Sequence, residues 1–178
     1  MGYLEKEVKI LDVVIEDLLS KFKELGAKEV FNDNRIITHF DYHDGRLFKQ
    51  KKVIKLTEEG KLKLSYSINT EHGKETIKLF VSRKKEVLDF LNKLDLFPIS
   101  ESTSHRISFE WEGVDFDIDE FPQIPPFLEI DLGESKYEIK DVLTKLGLGK
   151  NENGEMGTPD IYKRYNLDYF KIFKIKKI

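Results

Sequence analysis

Apolar and polar residues alternate along most of the chain, and the period changes from two to helical spacing in only a few places. Residues 3–10 read as a strand. Asp12 is placed to cap a helix in which Ile15, Leu18, Leu19, Phe22 and Leu25 recur as one stripe until Gly26 ends it, so this stripe is predicted to be core. Val30 to Phe31 and Arg35 to Tyr42 look extended on either side of the turn-prone Asn32-Asp33-Asn34, and His43-Asp44-Gly45 marks a further turn. Strands follow at 47–56, 61–68 and 74–81, a meander of antiparallel hairpins joined by Glu58-Glu59-Gly60 and the polar segment 69–73.

Ser82 is positioned to cap a second helix with Val87, Leu88, Leu91 and Leu94 on its core face. One hairpin then stands out. Ile107, Phe109 and Trp111 alternate with Ser108, Glu110 and Glu112, Gly113 turns the chain, and Val114, Phe116 and Ile118 alternate with Asp115, Asp117 and Asp119. Phase with Phe109 assigns Trp111 to the core. The proline-bearing segment 121–126 is loop, residues 127–132 resume as a strand, and Ser135 with Glu138 has the spacing of a capping box before a third helix that ends at Gly147. A glycine-bearing loop over 149–157 precedes Pro159, which opens a short helical turn holding Tyr162. From Tyr169 to Ile178 aromatic and aliphatic residues interleave with lysines in a stripe suited to docking on the body of the protein.

Composition narrows the class. A chain of 178 residues, 39% hydrophobic and 35% charged, suits one α+β domain over 1–168 with a C-terminal lysine and aromatic tail over 169–178. No apolar run is long enough to span a bilayer, and the N-terminus has no signal-peptide core, so a cytoplasmic location is expected. With no cysteine, disulfides, thiolate metal sites and cysteine nucleophiles are excluded together. The 30 basic and 33 acidic residues leave a net charge of -3, which argues against nucleic acid as a partner. His39, His43, His72 and His105 have no metal-ligand spacing.

Function must therefore come from local segregation of charge. On a strand Glu5, Glu7 and Lys9 share one face, two carboxylates and an ammonium suited to a hard divalent cation and a phosphate oxygen. Asp115, Asp117 and Asp119 share a face of the late hairpin, as Glu129 and Asp131 do on the next strand, and no lysine or arginine occurs between Asp115 and Asp131. Opposed like charges on neighbouring strands cost about 0.2–1 kcal/mol a pair, so such acids call for water or cations. Mg2+ or Mn2+ would convert that repulsion into binding. Lys49, Lys51, Lys52, Lys55, Lys61 and Lys63 crowd the central strands, and Arg106 heads the late hairpin. Lysine and arginine holding anionic oxygens opposite a metal-holding acidic wall is what polyphosphate recognition requires.

These motifs, in this order, resemble the CYTH family, the triphosphate tunnel metalloenzymes, which include class IV adenylate cyclases and thiamine and inorganic triphosphatases. Glu5, Glu7 and Lys9 match the family's opening Glu-x-Glu-x-Lys strand, and Asp41-Tyr42-His43-Asp44 is loosely similar to its next element. Asp117-Ile118-Asp119, Phe127-Leu128-Glu129-Ile130-Asp131 and Leu146-Gly147-Leu148 look like its later ones, and Tyr162 stands where the family has a Ser-Tyr element. The resemblance implies an antiparallel eight-stranded β-barrel forming a tunnel, with helices outside. It implies that Glu5, Glu7, Asp117, Asp119, Glu129 and Asp131 hold Mg2+ or Mn2+, with Glu5, Glu7 and Asp119 catalytic. Lys9, Lys55 and Arg106 would contact the phosphates of a small-molecule triphosphate or nucleotide.

The basic wall departs from the family pattern. Its Leu-Arg-Ile-Arg strand appears as Ile54-Lys55-Leu56-Thr57, the next strand reads Leu64-Ser65-Tyr66-Ser67, and the Arg-x-Glu-x-Glu strand is reduced to Lys74-Glu75-Thr76-Ile77-Lys78. Either lysines such as Lys49, Lys51 or Lys78 compensate, or the ligand is less charged, or catalysis has been lost. The leading expectation is a metal-dependent phosphohydrolase acting on triphosphate compounds. A class IV-type adenylate cyclase and a non-catalytic nucleotide or phosphometabolite binder are the alternatives, and homodimerisation is left open.

Overall fold

The computed structural model describes residues 3–4, 7–70, 73–151 and 153–174. Glu5, Lys6, His72 and residues 175–178 of the tail lie outside the described residues. In chain order the elements are β1 (Tyr3–Leu4), β2 (Glu7–Ile10), α1 (Ile15–Leu25), β3 (Lys28–Asp41), α2 (Arg46–Lys49), β4 (Lys52–Glu59), β5 (Lys61–Thr70) and β6 (Gly73–Val81). They continue with α3 (Lys84–Lys93), β7 (Phe97–Trp111), β8 (Val114–Glu120), β9 (Phe127–Asp131), α4 (Ile139–Leu146), β10 (Asn153–Gly154), α5 (Thr158–Arg164) and α6 (Tyr169–Ile172). Eight of the ten strands are four residues or longer, and every pairing described is antiparallel, which is the expected α+β class. No helix among the described residues is long and apolar enough to cross a membrane.

The chain divides into two compact units, with β3 and β7 each contributing residues to both. In the first, which takes in residues 35–103 and the segment from Asp168, strands pair in the order β1-β6-β5-β4-β3. One sheet face packs Phe40 and Leu56 against Leu47 of α2, Val87 and Leu91 of α3, and Leu96. The predicted strand over 47–56 starts later, at Lys52, because Asp41 accepts hydrogen bonds from the backbone N–H groups of Tyr42, Leu47 and Phe48 and so folds residues 46–49 into α2. Ser82 does not cap α3, whose N-cap is Arg83, and Leu94 ends at the helix terminus, 47% exposed rather than in the core.

In the second unit, residues 6–34 and 104–167, the order is β7-β8-β9-β2-β10. The late hairpin forms as predicted, with Trp111 opposite Val114. Its two-residue turn needs positive φ twice, which Gly113 (φ +82°) supplies without strain and Glu112 (φ +45°) accepts. Behind the sheet, α1 and α4 bury Leu18, Phe22, Val142, Leu143 and Leu146 against Ile107, Phe109, Phe116, Ile118, Leu128 and Ile130. Trp111 packs at the edge of this core, stacked on Tyr137 at 4.7 Å.

Four local expectations are corrected here. Asn32-Asp33-Asn34 make no turn, since β3 runs unbroken through them. Asp12 is not the cap of α1: it adopts φ +53° and accepts a hydrogen bond from the Tyr165 hydroxyl at 2.8 Å, while Val14 takes the N-cap position. Leu19 is 37% exposed, turned away from the Leu18 and Phe22 stripe. The third helix starts at Ile139 after Glu138, so Ser135 forms no capping box, and its hydroxyl is buried without a hydrogen-bond partner.

Candidate functional site

Alternation gives the second unit's sheet two unlike faces. Even-numbered Phe116, Ile118, Leu128 and Ile130 go to the core, so Asp115, Asp117 and Asp119 of β8 and Glu129 and Asp131 of β9 must take the other face. Register then aligns them in rows. Glu110, Asp115, Asp131 and Glu7 form one row across β7, β8, β9 and β2; Ser108, Asp117, Glu129 and Lys9 form the next; Arg106 faces Asp119 in the third.

Two cations are threaded into these acids. Lys9, 4% exposed, bonds Glu7 and reaches Glu129 at 3.0 Å. The Arg106 guanidinium, 5% exposed, donates from Nε to Asp119 Oδ1 at 2.8 Å and from Nη2 to Asp119 Oδ2 at 2.5 Å, and also bonds Asp117. Its Nη2 lies 3.5 Å from Glu129, and Ser108 donates to Asp117 at 2.5 Å. Asp131 accepts the Gly133 N–H at 2.9 Å. Burial opposes the charge of Arg106, but Asp119, Asp117 and Glu129 outweigh it and raise its pKa. Burial, with Glu129 and Asp119 nearby, pushes the Asp117 carboxyl up to about 6 although Arg106 pulls the other way.

Of the site residues expected from the sequence, Glu7, Lys9, Arg106, Asp117, Asp119, Glu129 and Asp131 are thus brought onto one face of one unit. Glu5 is outside the described residues. Ser108 was not anticipated, although its phase with Arg106 and Glu110 was readable. Among the described residues no three carboxylate or imidazole groups converge as a ready-made metal shell. The donor set nonetheless suits a hard cation: five carboxyl groups, Glu7, Asp117, Asp119, Glu129 and Asp131, stand against two cationic side chains.

Lys55 belongs to the first unit. There His39, Lys55, Ser65 and Lys78 form one row across β3, β4, β5 and β6, on the face away from Phe40 and Leu56. The same face carries Arg35, 6% exposed, with Nη1 3.9 Å from Glu59. Lys49 is exposed and donates to the Asp44 carbonyl, and Lys51 occupies a turn at φ +56°. Burial, then the charge of Lys55, holds the His39 imidazole down to about 3, and its Nδ1 lies 3.2 Å from the Ser100 hydroxyl. Between pH about 6.5 and about 3 the unfolded chain therefore binds a proton that folded His39 refuses, and stability falls as pH falls through that window. At pH 5 this amounts to about 2 kcal/mol. Thermal unfolding at pH 7.5 and pH 5 is expected to show a smaller acid-induced loss for His39→Asn than for the natural sequence; equal losses would place the titration elsewhere.

Tyr162 of α5, fully buried, donates to the Pro122 carbonyl at 2.6 Å and so pins the proline loop that leads into β9.

No family model matches the chain, and no curated protein sequence does either. Solved structures do. PH1012 from Pyrococcus horikoshii OT3 is similar with a TM-score of 0.67 at 21% identity, covering 84% of this chain and 94% of that one. A candidate adenylate cyclase from Vibrio parahaemolyticus is similar with a TM-score of 0.68 at 14% identity, over 100% of this chain and 96% of that one. HpAC1 from Hippeastrum, a candidate adenylyl cyclase with a dominant triphosphatase activity, is similar with a TM-score of 0.61 at 13% identity, over 96% of this chain and 99% of that one. At these identities the likeness establishes a shared fold.

Proposed function

We propose that this protein is a metal-dependent enzyme of triphosphate compounds, with phosphoryl release by hydrolysis as its leading reaction. The observation that carries the reading is the row arrangement in the second unit, where Lys9 and Arg106 are buried between aligned carboxylates. A face with acids alone would repel a polyphosphate, and one with cations alone would not hold Mg2+ or Mn2+; this one has both. Glu7, Asp117, Glu129 and Asp131 would hold such an ion, which when bound neutralises phosphate oxygens.

The chain's own residues supply the remainder. Lys9 offers an ammonium with three donors, and turning from Glu129 to a phosphate oxygen exchanges one anionic partner for another. Arg106 is held by both oxygens of Asp119, so its guanidinium cannot drift as charge develops on the transferred group. Asp119 is thereby a positioning residue for Arg106. Ser108 does the same for Asp117.

A second reading, cyclisation of ATP, draws on the candidate adenylate cyclase from Vibrio parahaemolyticus among the similar folds. Phosphorus NMR of the protein with ATP and with inorganic triphosphate, in Mg2+ and in Mn2+, separates the two. Orthophosphate release that drops at least about 100-fold in Glu7→Gln/Glu129→Gln is the expected result, on the scale of losing a transition-state contact. Pyrophosphate appearing with a cyclic nucleotide would replace hydrolysis by cyclisation, and no turnover in either metal would overturn both.

A further inference from the structure

The outer edge of the first unit's sheet is only partly paired. β6 has β5 along one side, while on the other β1 meets it at Glu75 and Thr76 alone. Among the described residues no strand pairs with 77–81 on that side. The side chains there are apolar and uncovered: Ile77 is 54%, Leu79 55% and Phe80 74% exposed. An edge of this kind is a template for a further strand, and sheets normally shorten, charge or cover it. The backbone stays extended beyond β6, since Arg83 has φ -134° and ψ 106° before α3 begins at Lys84.

The sequence along this edge complements itself. Odd positions take the face that Leu64 and Tyr66 take on β5, so Glu75, Ile77, Leu79, Val81 and Arg83 form one row. Two copies related by a two-fold axis normal to the sheet at Leu79 bring Leu79 against Leu79, Ile77 against Val81, and Glu75 of each copy towards Arg83 of the other. On the other face Lys78 then lies against Phe80, a cation beside an aromatic ring rather than beside another cation. Neighbouring registers are worse. An axis at Lys78 sets Lys78 against Lys78 and Val81 against Glu75, and an axis at Phe80 sets Ile77 against Arg83. β1 also limits the pairing to five residues: it holds the edge at Thr76, where the incoming chain has reached Ser82 and bends away from its sheet towards α3. Arg83 bonds Glu86 at 2.8 Å, but both are mostly exposed, and an exposed ion pair is weak enough to exchange.

We propose that β6 is a homodimer interface, in which residues 77–81 of two copies pair antiparallel about Leu79 and join two first-unit sheets edge to edge. A second copy is the occupant because the row from Glu75 to Arg83 meets its own reverse with apolar against apolar and acid against base. Five paired residues a side bury less than the roughly 800 Å² per partner of a standard interface, so association is concentration-dependent. It is independent of the chemistry proposed for the second unit.

Sedimentation velocity of the full-length protein from about 10 to about 500 μM is expected to show a dimer fraction that grows with concentration, and amide exchange across 77–81 should slow with it. Leu79→Lys sets like charges at the axis and should weaken association at least about tenfold, with folding spared because Leu79 is exposed. Glu75→Arg and Arg83→Glu should each weaken it about fivefold, since two pairs are lost per dimer, and the two together should restore it to within about twofold. A protein that stays monomeric throughout would overturn the interface, and slow exchange across 77–81 in that monomer would show the edge filled from within the chain. A dimer indifferent to Leu79→Lys, or one that the charge exchange does not restore, would overturn pairing through β6 in this register.

Discussion

Asp119→Ala is expected to destabilise the fold by about 3–5 kcal/mol, read as a lower midpoint in urea unfolding, because it strands a buried guanidinium. Asp119 is fully buried, and both its oxygens are engaged by Arg106, which is itself 5% exposed. Without that partner Arg106 keeps Asp117 and Glu129, which are less buried and must also answer Lys9 and Ser108. Asp119→Asn keeps the shape and half the hydrogen bonding and should fall between. The informative companion is Arg106→Met/Asp119→Leu. Replacing a buried ion pair by apolar side chains of similar size is often neutral or stabilising, so this double variant should regain most of the lost stability. It should not regain turnover. A loss below about 1 kcal/mol for Asp119→Ala would mean that Arg106 finds solvent, and that the pair does not fix the guanidinium.

The comparison of stability with turnover bears on why such a pair persists. Desolvating an arginine and an aspartate is costly, and a well-packed apolar pair would serve folding as well. The network is better understood as a device that holds a cation next to Asp117 and Glu129 in a fixed orientation. The neighbouring row works differently: Lys9 has a flexible stem and a point charge, so it can change partners where Arg106 cannot.

Much of this arrangement is legible in the sequence. Alternation along 114–119 and 127–131 assigned Asp117, Asp119, Glu129 and Asp131 to the face opposite the core, and the structure keeps them there. What alternation cannot supply is register between strands distant in sequence, so the pairing of Lys9 with Glu129, or of Glu7 with Asp131, was out of reach. The length of β7 was hidden too. Residues 97–105 carry Pro98, three serines and a threonine in place of a clear apolar alternation, yet Ser100, Ser102 and Ser104 are in phase with Arg106 and buried on the same strand. The Asn32-Asp33-Asn34 turn failed because local composition was outweighed by strand pairing, and α2 was missed because its cause, Asp41 gathering three backbone N–H groups, is a side-chain contact across several residues. The acids of β8 and β9 are legible because alternation is local; the partners of Lys9 and Arg106 are not, because they come from separate strands.

Phe22→Ala should cost a further independent 3–5 kcal/mol, about the loss for deleting a buried aromatic ring, measurable by the same urea titration. Phe22 is fully buried on α1, its ring 4.8 Å from both Phe109 and Phe116, stacked at 20° on the latter. Those two partners sit on β7 and β8 directly behind the strands that carry Arg106, Asp117 and Asp119. Filling is what keeps the sheet rigid, since a cavity under Phe116 lets β8 relax toward α1. Phe22→Leu, which restores much of the volume, should recover most of the stability. Well below its melting temperature, Phe22→Ala is expected to retain binding while losing some turnover, because relaxation of β8 loosens the geometry on which charge neutralisation depends. If stability falls as expected and turnover is untouched, the acid rows hold their arrangement through Arg106 and Lys9 alone, and the core behind them serves folding only.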